Sequence, residues 1–122
     1  MIPPIEALDK SLIGLTSILQ ENKAVFEPHR FIIILVLYLN GKMEFTKLQQ
    51  LLDLTPGNLD HHIKALINAG YVTKEKAFSR RILTIIEITS KGMETVTSYA
   101  RELKDLLDRV NCSVTLSMVM TG

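Results

Sequence analysis

Two helical patterns lie only about three residues apart in the middle of this chain, and that spacing constrains the fold more than any other feature. Phe45, Leu48, Leu51 and Leu52 recur at helical intervals, and the pattern stops near Asp53-Leu54. Thr55-Pro56 then opens a new helix. Its hydroxyl can accept from a first-turn amide, and proline fits a position whose own N–H has no helical partner. This helix runs to about Ala69, with Gly70 as its C-cap. A break that short between two helices is helix-turn-helix spacing.

The flanking residues supply a scaffold. Upstream, Ile5, Leu8, Leu12, Leu15 and Leu19 step by 3, 4, 3 and 4, a narrow apolar stripe on a helix spanning about 5–24. Pro28 suits the first position of a second helix, with Glu27 before it and Asn40-Gly41 closing it. That helix contains Phe31 to Leu39, a nine-residue apolar run. A membrane span needs ~20 residues, so a helix buried on nearly all sides is expected instead. An extended piece follows at Lys42 to Glu44.

Downstream, Tyr71 to Lys76 and Ile82 to Ile88 read as strands joined by a five-residue basic tip, Ala77-Phe78-Ser79-Arg80-Arg81. Thr89 offers an N-cap for a last helix over 89–110, where Met93, Val96, Ala100, Leu103, Leu107 and Val110 step by 3, 4, 3, 4 and 3. From Asn111 to Gly122 apolar residues alternate with Ser and Thr, and neither helix nor strand prevails. With no repeat and no linker, 122 residues suit one domain. The expected fold is mainly α with a small β-hairpin: a winged helix-turn-helix core over 28–88 between two long terminal helices.

The net charge of +1 is uninformative, but its distribution is not. Residues 55–81 carry Lys64, Lys74, Lys76, Arg80 and Arg81 against Asp60 and Glu75, a balance of +3, and the remainder sums to −2. A basic segment on a neutral protein suits a polyanion better than a membrane. Cys112 is the only cysteine, which excludes an intrachain disulfide, and Met1-Ile-Pro-Pro has no signal-peptide character. A cytoplasmic location is expected.

On a helical wheel Leu59, Ile63 and Leu66 share one face of the 56–69 helix, with Ile67 beside them. Gly57, His61, Lys64 and Asn68 face the other way, flanked by Asn58 and Asp60. Such a short, polar face suits a major groove, where Asn reads adenine edges and His or Lys reaches guanine or phosphate. Amides near Gly57 and Asn58 would favour a phosphate. Arg80 and Arg81, with Lys74, Lys76 and Ser79, would place the hairpin on phosphates or in the minor groove. A charged hairpin tip also serves solubility alone. Phe78 is expected to pack at the hairpin base rather than to wedge DNA.

His61-His62 points its rings about 100° apart on a helix, which disfavours chelation by the pair, and no metal site is expected. His29 and His62 are read as structural. No phosphate loop, nucleophile elbow or paired carboxylates suggest an enzyme, and no cofactor is called for. The terminal stripes, repeating every 3.5 residues, suit partner helices. They predict a homodimer through Ile5, Leu8, Leu12, Leu15, Leu19, Val96, Ala100, Leu103, Leu107 and Val110, which in turn predicts an inverted-repeat DNA site. The alternative is a winged helix used as a protein-interaction module.

The stretch from Pro28 to Gly92 resembles winged-helix transcriptional regulators of the MarR/ArsR type. The likeness rests on Phe45-x2-Leu48-x2-Leu51-x2-Leu54-Thr55-x-Gly57-Asn58-Leu59-x-His61-His62-Ile63, on Ala69-Gly70-Tyr71-Val72, and on Phe78-x-Arg80 and Ile88-Thr89-x2-Gly92. It implies a dimer acting on transcription, with Gly57, Asn58, His61 and Lys64 toward the groove and Arg80 and Arg81 in the wing. The wing lacks the glycine, proline or extra lysine common at that family's tip. The cysteine-rich metal box of some ArsR-type members is absent, so no metal response carries over.

Overall fold

A computed structural model describes the backbone of residues 5–121 and the side chains of residues 10 and 12–111. The elements are α1 (Ile5–Glu21), α2 (Pro28–Asn40), β1 (Lys42–Glu44), α3 (Phe45–Leu52), α4 (Pro56–Asn68), β2 (Val72–Phe78), β3 (Ile82–Ile88) and α5 (Ser90–Thr121). Two compact units result: residues 22–96, and the chain up to Glu21 together with the chain from Thr97 onward. α5 therefore contributes to both.

In the 22–96 unit, local chemistry sets each boundary. Glu27 caps α2 by accepting from the Arg30 amide at 3.0 Å, with Pro28 in the first turn. Gly41 closes α2 at φ 81° and donates to Leu37 O. Asp53 ends α3 in the left-handed region at φ 53°, a conformation Asp tolerates better than most residues. Thr55 caps α4 through its hydroxyl, 3.2 Å from the Asn58 amide.

The core gathers Ile33, Ile34 and Leu37 of α2, Leu48 of α3, Leu59, Ile63 and Leu66 of α4, Ile86 and Ile88 of β3, and Val96 of α5. Each such side chain contributes roughly 1.5–3 kcal/mol of transfer free energy. The α4 core face is therefore the one its wheel indicates. α2 differs from expectation. Ile33, Ile34 and Leu37 turn inward, but Ile32 and Leu39, seven residues apart on the opposite stripe, are 45% and 81% exposed. In α3, Leu51 likewise faces outward.

The sheet is antiparallel in the order β1-β3-β2, with Lys42 opposite Glu87 and Val72 opposite Ile88. β2 runs on to Phe78, which pairs with Ile82, so the wing tip is three residues, Ser79-Arg80-Arg81, rather than five. Ser79 donates to Arg81 O across it. Among the described residues positive φ occurs only at Asp53, Gly41 and Gly70, so this tip needs no glycine. Phe78 is 80% exposed and does not pack at the hairpin base.

Polar contacts fix the root of α5 against the wing. The Thr89 hydroxyl donates to Gly70 O and accepts from the Gly92 amide. Lys91 Nζ donates to Ala69 O at 2.7 Å, completing the C-terminus of α4. The Tyr71 hydroxyl donates to Asn22 Oδ1 at 2.6 Å, and the buried Thr95 hydroxyl is shared between that oxygen and Lys91 O.

In the other unit α1 and the later part of α5 are the elements. α5 continues through Thr121, well past Val110, so the backbone of the ambiguous tail is helical; its side chains from Cys112 lie outside the described residues. Leu12, Ile13, Leu19, Leu107 and Val110 are all exposed.

Candidate nucleic-acid interface

Because Leu59, Ile63 and Leu66 are drawn into the core, the opposite side of α4 is turned out. Gly57, Asn58, His61, Lys64 and Asn68 are exposed there, as is Thr55 before them, and Asp60 is half-buried. A side chain at Gly57 would meet open space. The anion-binding capacity of this helix end is smaller than the sequence suggests. Pro56 has no N–H and the Asn58 amide is held by Thr55 Oγ1, which leaves the Gly57 amide.

The basic residues are not equivalent. Asp60 Oδ2 lies 2.8 Å from Lys64 Nζ, and Oδ1 lies 3.6 Å from Lys74 Nζ. The hydrogen bond with Lys64 holds the Asp60 carboxyl below its usual range and raises the lysine. Arg81 contacts Glu44 at 3.5 Å. Lys76 and Arg80 make no ion pair among the described residues, and Ser79 is exposed beside them. Between the α4 N-terminus and the wing lies an open hollow of about 420 Å³ lined by Phe45, Pro56, Gly57, Asp60, Lys74 and Thr84. The α4 face and the wing strand thus meet around one hollow whose cations are partly neutralised by Asp60.

The dimer residues expected from the stripes scatter. Leu12, Leu19, Ala100, Leu107 and Val110 are exposed, and Leu15 and Leu103 are half-buried. Val96 is 5% exposed because the first turns of α5 complete the core of the 22–96 unit; it is unavailable to a partner. The side chains of Ile5 and Leu8 lie outside the described residues. Among the described residues no helix is long and apolar enough to cross a membrane.

One cluster escaped the sequence reading. Behind the exposed face of α4, His62 meets the start of α2: its Nδ1 is 3.5 Å from Glu27 Oε2, and His29 Nδ1 is 3.2 Å from Glu27 Oε1. The His29 and His62 rings stack, centroids 5.3 Å apart. Arg30 Nε donates to His62 Nδ1 at 3.2 Å. Burial pushes the His62 imidazole below its ordinary value, against the opposing pull of Glu27. Burial pushes the Glu27 carboxyl up, but bonds from the Arg30 amide and from His29 outweigh it and hold the group low. The only sequence signal was Glu-x-His at a helix start, which says nothing about a partner on another helix.

Helices α2, α3 and α4, the last with a polar face turned outward, followed by a two-strand wing, define the winged-helix class of DNA-binding domains. The chain belongs to that family: the winged helix DNA-binding domain profile matches residues 29–107. It is 40% identical over 81 residues to the uncharacterized protein MJ0432 of Methanocaldococcus jannaschii, which covers 66% of this chain and 88% of that protein. A transcriptional regulator homologue from Pyrococcus horikoshii OT3 superposes with TM-score 0.70 at 36% identity, over 80% of this chain and 96% of that one. The S. aureus MepR–DNA complex shares the fold at TM-score 0.68 and 9% identity, over 93% and 91% of the two chains. The likeness to MarR-type regulators seen in the sequence therefore stands at the level of fold.

Proposed function

We propose that this chain is a cytoplasmic, dimeric transcriptional regulator that reads a specific double-stranded DNA site. The observation that best supports it is the outward face of α4: exposed Gly57, Asn58, His61, Lys64 and Asn68, with none of the large exposed apolar side chains on this helix. α4, at Pro56–Asn68, enters the major groove, where Asn58 and His61 contact base edges and Thr55, Lys64 and the Gly57 amide contact phosphates. Asp60 orients Lys64 and Lys74. The wing follows the backbone through Lys76, Ser79, Arg80 and Arg81. Exposed apolar residues on α1 and α5 support pairing through Leu12, Leu19, Leu107 and Val110, and a two-fold dimer reads an inverted repeat. A protein-docking role would be favoured by apolar residues on the α4 face, and that face is polar.

The test is a duplex titration with fragments around the gene's own promoter at two salt concentrations. Tight, salt-sensitive preference for one fragment supports the reading, and Arg80→Ala should then reduce the salt slope by about one phosphate contact. A folded protein that ignores all fragments at low salt would turn attention to protein docking. Leu107→Asp should convert the dimer to monomer in sedimentation.

A further inference from the structure

We propose that Glu27, His29 and His62 form a binding site for a divalent transition metal of the zinc class, joining the start of α2 to the middle of α4. One ligand atom from each residue lies within 4.8 Å of the other two, and the two Glu27–histidine contacts are 3.2 and 3.5 Å. A tetrahedral ion with bonds of ~2.0–2.1 Å spaces its ligands by about 3.4 Å, so each histidine stands at ligand spacing from one Glu27 oxygen, His29 from Oε1 and His62 from Oε2, and metal binding requires His29 Nδ1 to give up the proton it now shares with Oε1. Imidazole nitrogen and carboxylate oxygen are the donor set that suits zinc, nickel or cobalt.

The electron pairs point the same way. Arg30 Nε can only donate, so His62 Nδ1 carries its lone pair toward Arg30 and Glu27. The contact between His62 Nδ1 and Glu27 Oε2 is then lone pair against lone pair, and a cation relieves it. The guanidinium of Arg30 now fills part of that role. A metal displaces its Nε–H from His62, while Glu27 keeps a lone pair for the Arg30 amide and so keeps capping α2. His62 is 14% exposed, Glu27 32% and His29 52%, so the site opens on the His29 side and leaves room for solvent as a fourth ligand. His61, next in sequence, is exposed on the α4 face and stays outside the site.

The test uses the untagged full chain titrated with Co²⁺, read by visible d–d absorption, and with Zn²⁺ by calorimetry. One equivalent should bind with bands of a four-coordinate ion. His29→Gln, a substitution at an exposed position, should weaken binding at least tenfold, and His62→Gln should abolish the bands, whereas His61→Gln leaves both unchanged. Absence of saturable Co²⁺ binding, or bands unaltered in His29→Gln, overturns the proposal. The readout needs no DNA and is independent of the regulator reading.

Discussion

Two helical glycines should respond to alanine with opposite signs. At Gly92, in the first turn of α5, an added Cβ would sit 2.7 Å from the backbone oxygen of Tyr71 and 2.7 Å from Cγ1 of Ile88. Carbon–carbon contacts are optimal near ~3.5–4.0 Å, so the methyl is about 0.8 Å too close to Ile88. The Tyr71 carbonyl cannot rotate away, because it accepts from the Thr89 amide at 3.0 Å. Overpacking of this kind costs ~1–3 kcal/mol, against a helix-propensity gain of at most ~1 kcal/mol. Gly92→Ala should therefore destabilise by about 1–2 kcal/mol. At Gly14 in α1 the nearest atom is Glu102 Oε2 at 2.5 Å, followed by Cδ of the same carboxylate. That group is the far end of a flexible side chain and swings aside at little cost. Gly14→Ala should keep most of its propensity gain and stabilise by roughly 0.5–1 kcal/mol. Urea denaturation monitored by circular dichroism measures both. A neutral or stabilising Gly92→Ala would refute the claim that the wing root and α5 are in backbone contact there.

Thr55→Ala removes the side chain that caps α4 and should cost ~1 kcal/mol of stability, whereas Thr55→Ser should cost far less; equal losses would deny the capping role. Asp60→Asn should raise affinity for random-sequence DNA at low salt and steepen the salt dependence, since it frees Lys64 and Lys74; a weaker complex would make Asp60 a contact in its own right. Phe78→Ser should leave the melting temperature unchanged within the ~0.5 kcal/mol typical of surface changes, and a loss of several degrees would mean the ring is packed after all.

The boundaries of α2, α3, α4 and the start of α5 were legible because each depends on residues adjacent in sequence. Glu27-Pro28 and Thr55-Pro56 open helices through their own caps, and Asn40-Gly41 and Asp53 close them by backbone conformation. The α4 core face was equally legible, since 3.6-residue periodicity encodes which side is apolar. Periodicity does not encode how much neighbouring structure arrives to cover an apolar side. Hence α2, apolar all round, was expected to be buried, yet Ile32 and Leu39 face out, and Val96, in step with a terminal stripe, was drawn into the core instead.

Pairing across the fold was the least legible. The Phe78–Ile82 register, which shortens the wing tip to three residues, depends on strand alignment rather than on where basic residues cluster. The ion pairs of Asp60 turned two expected phosphate contacts into residues with a competing partner. His61 and His62 are neighbours on one helix and point too far apart to chelate as a pair. Arg30 and His62 are 32 residues apart in sequence, and it is the packing of α2 on α4 that sets Glu27 and His29 against His62. The same packing that hides the apolar face of α4 therefore determines which of its two histidines looks outward and which turns back to a carboxylate.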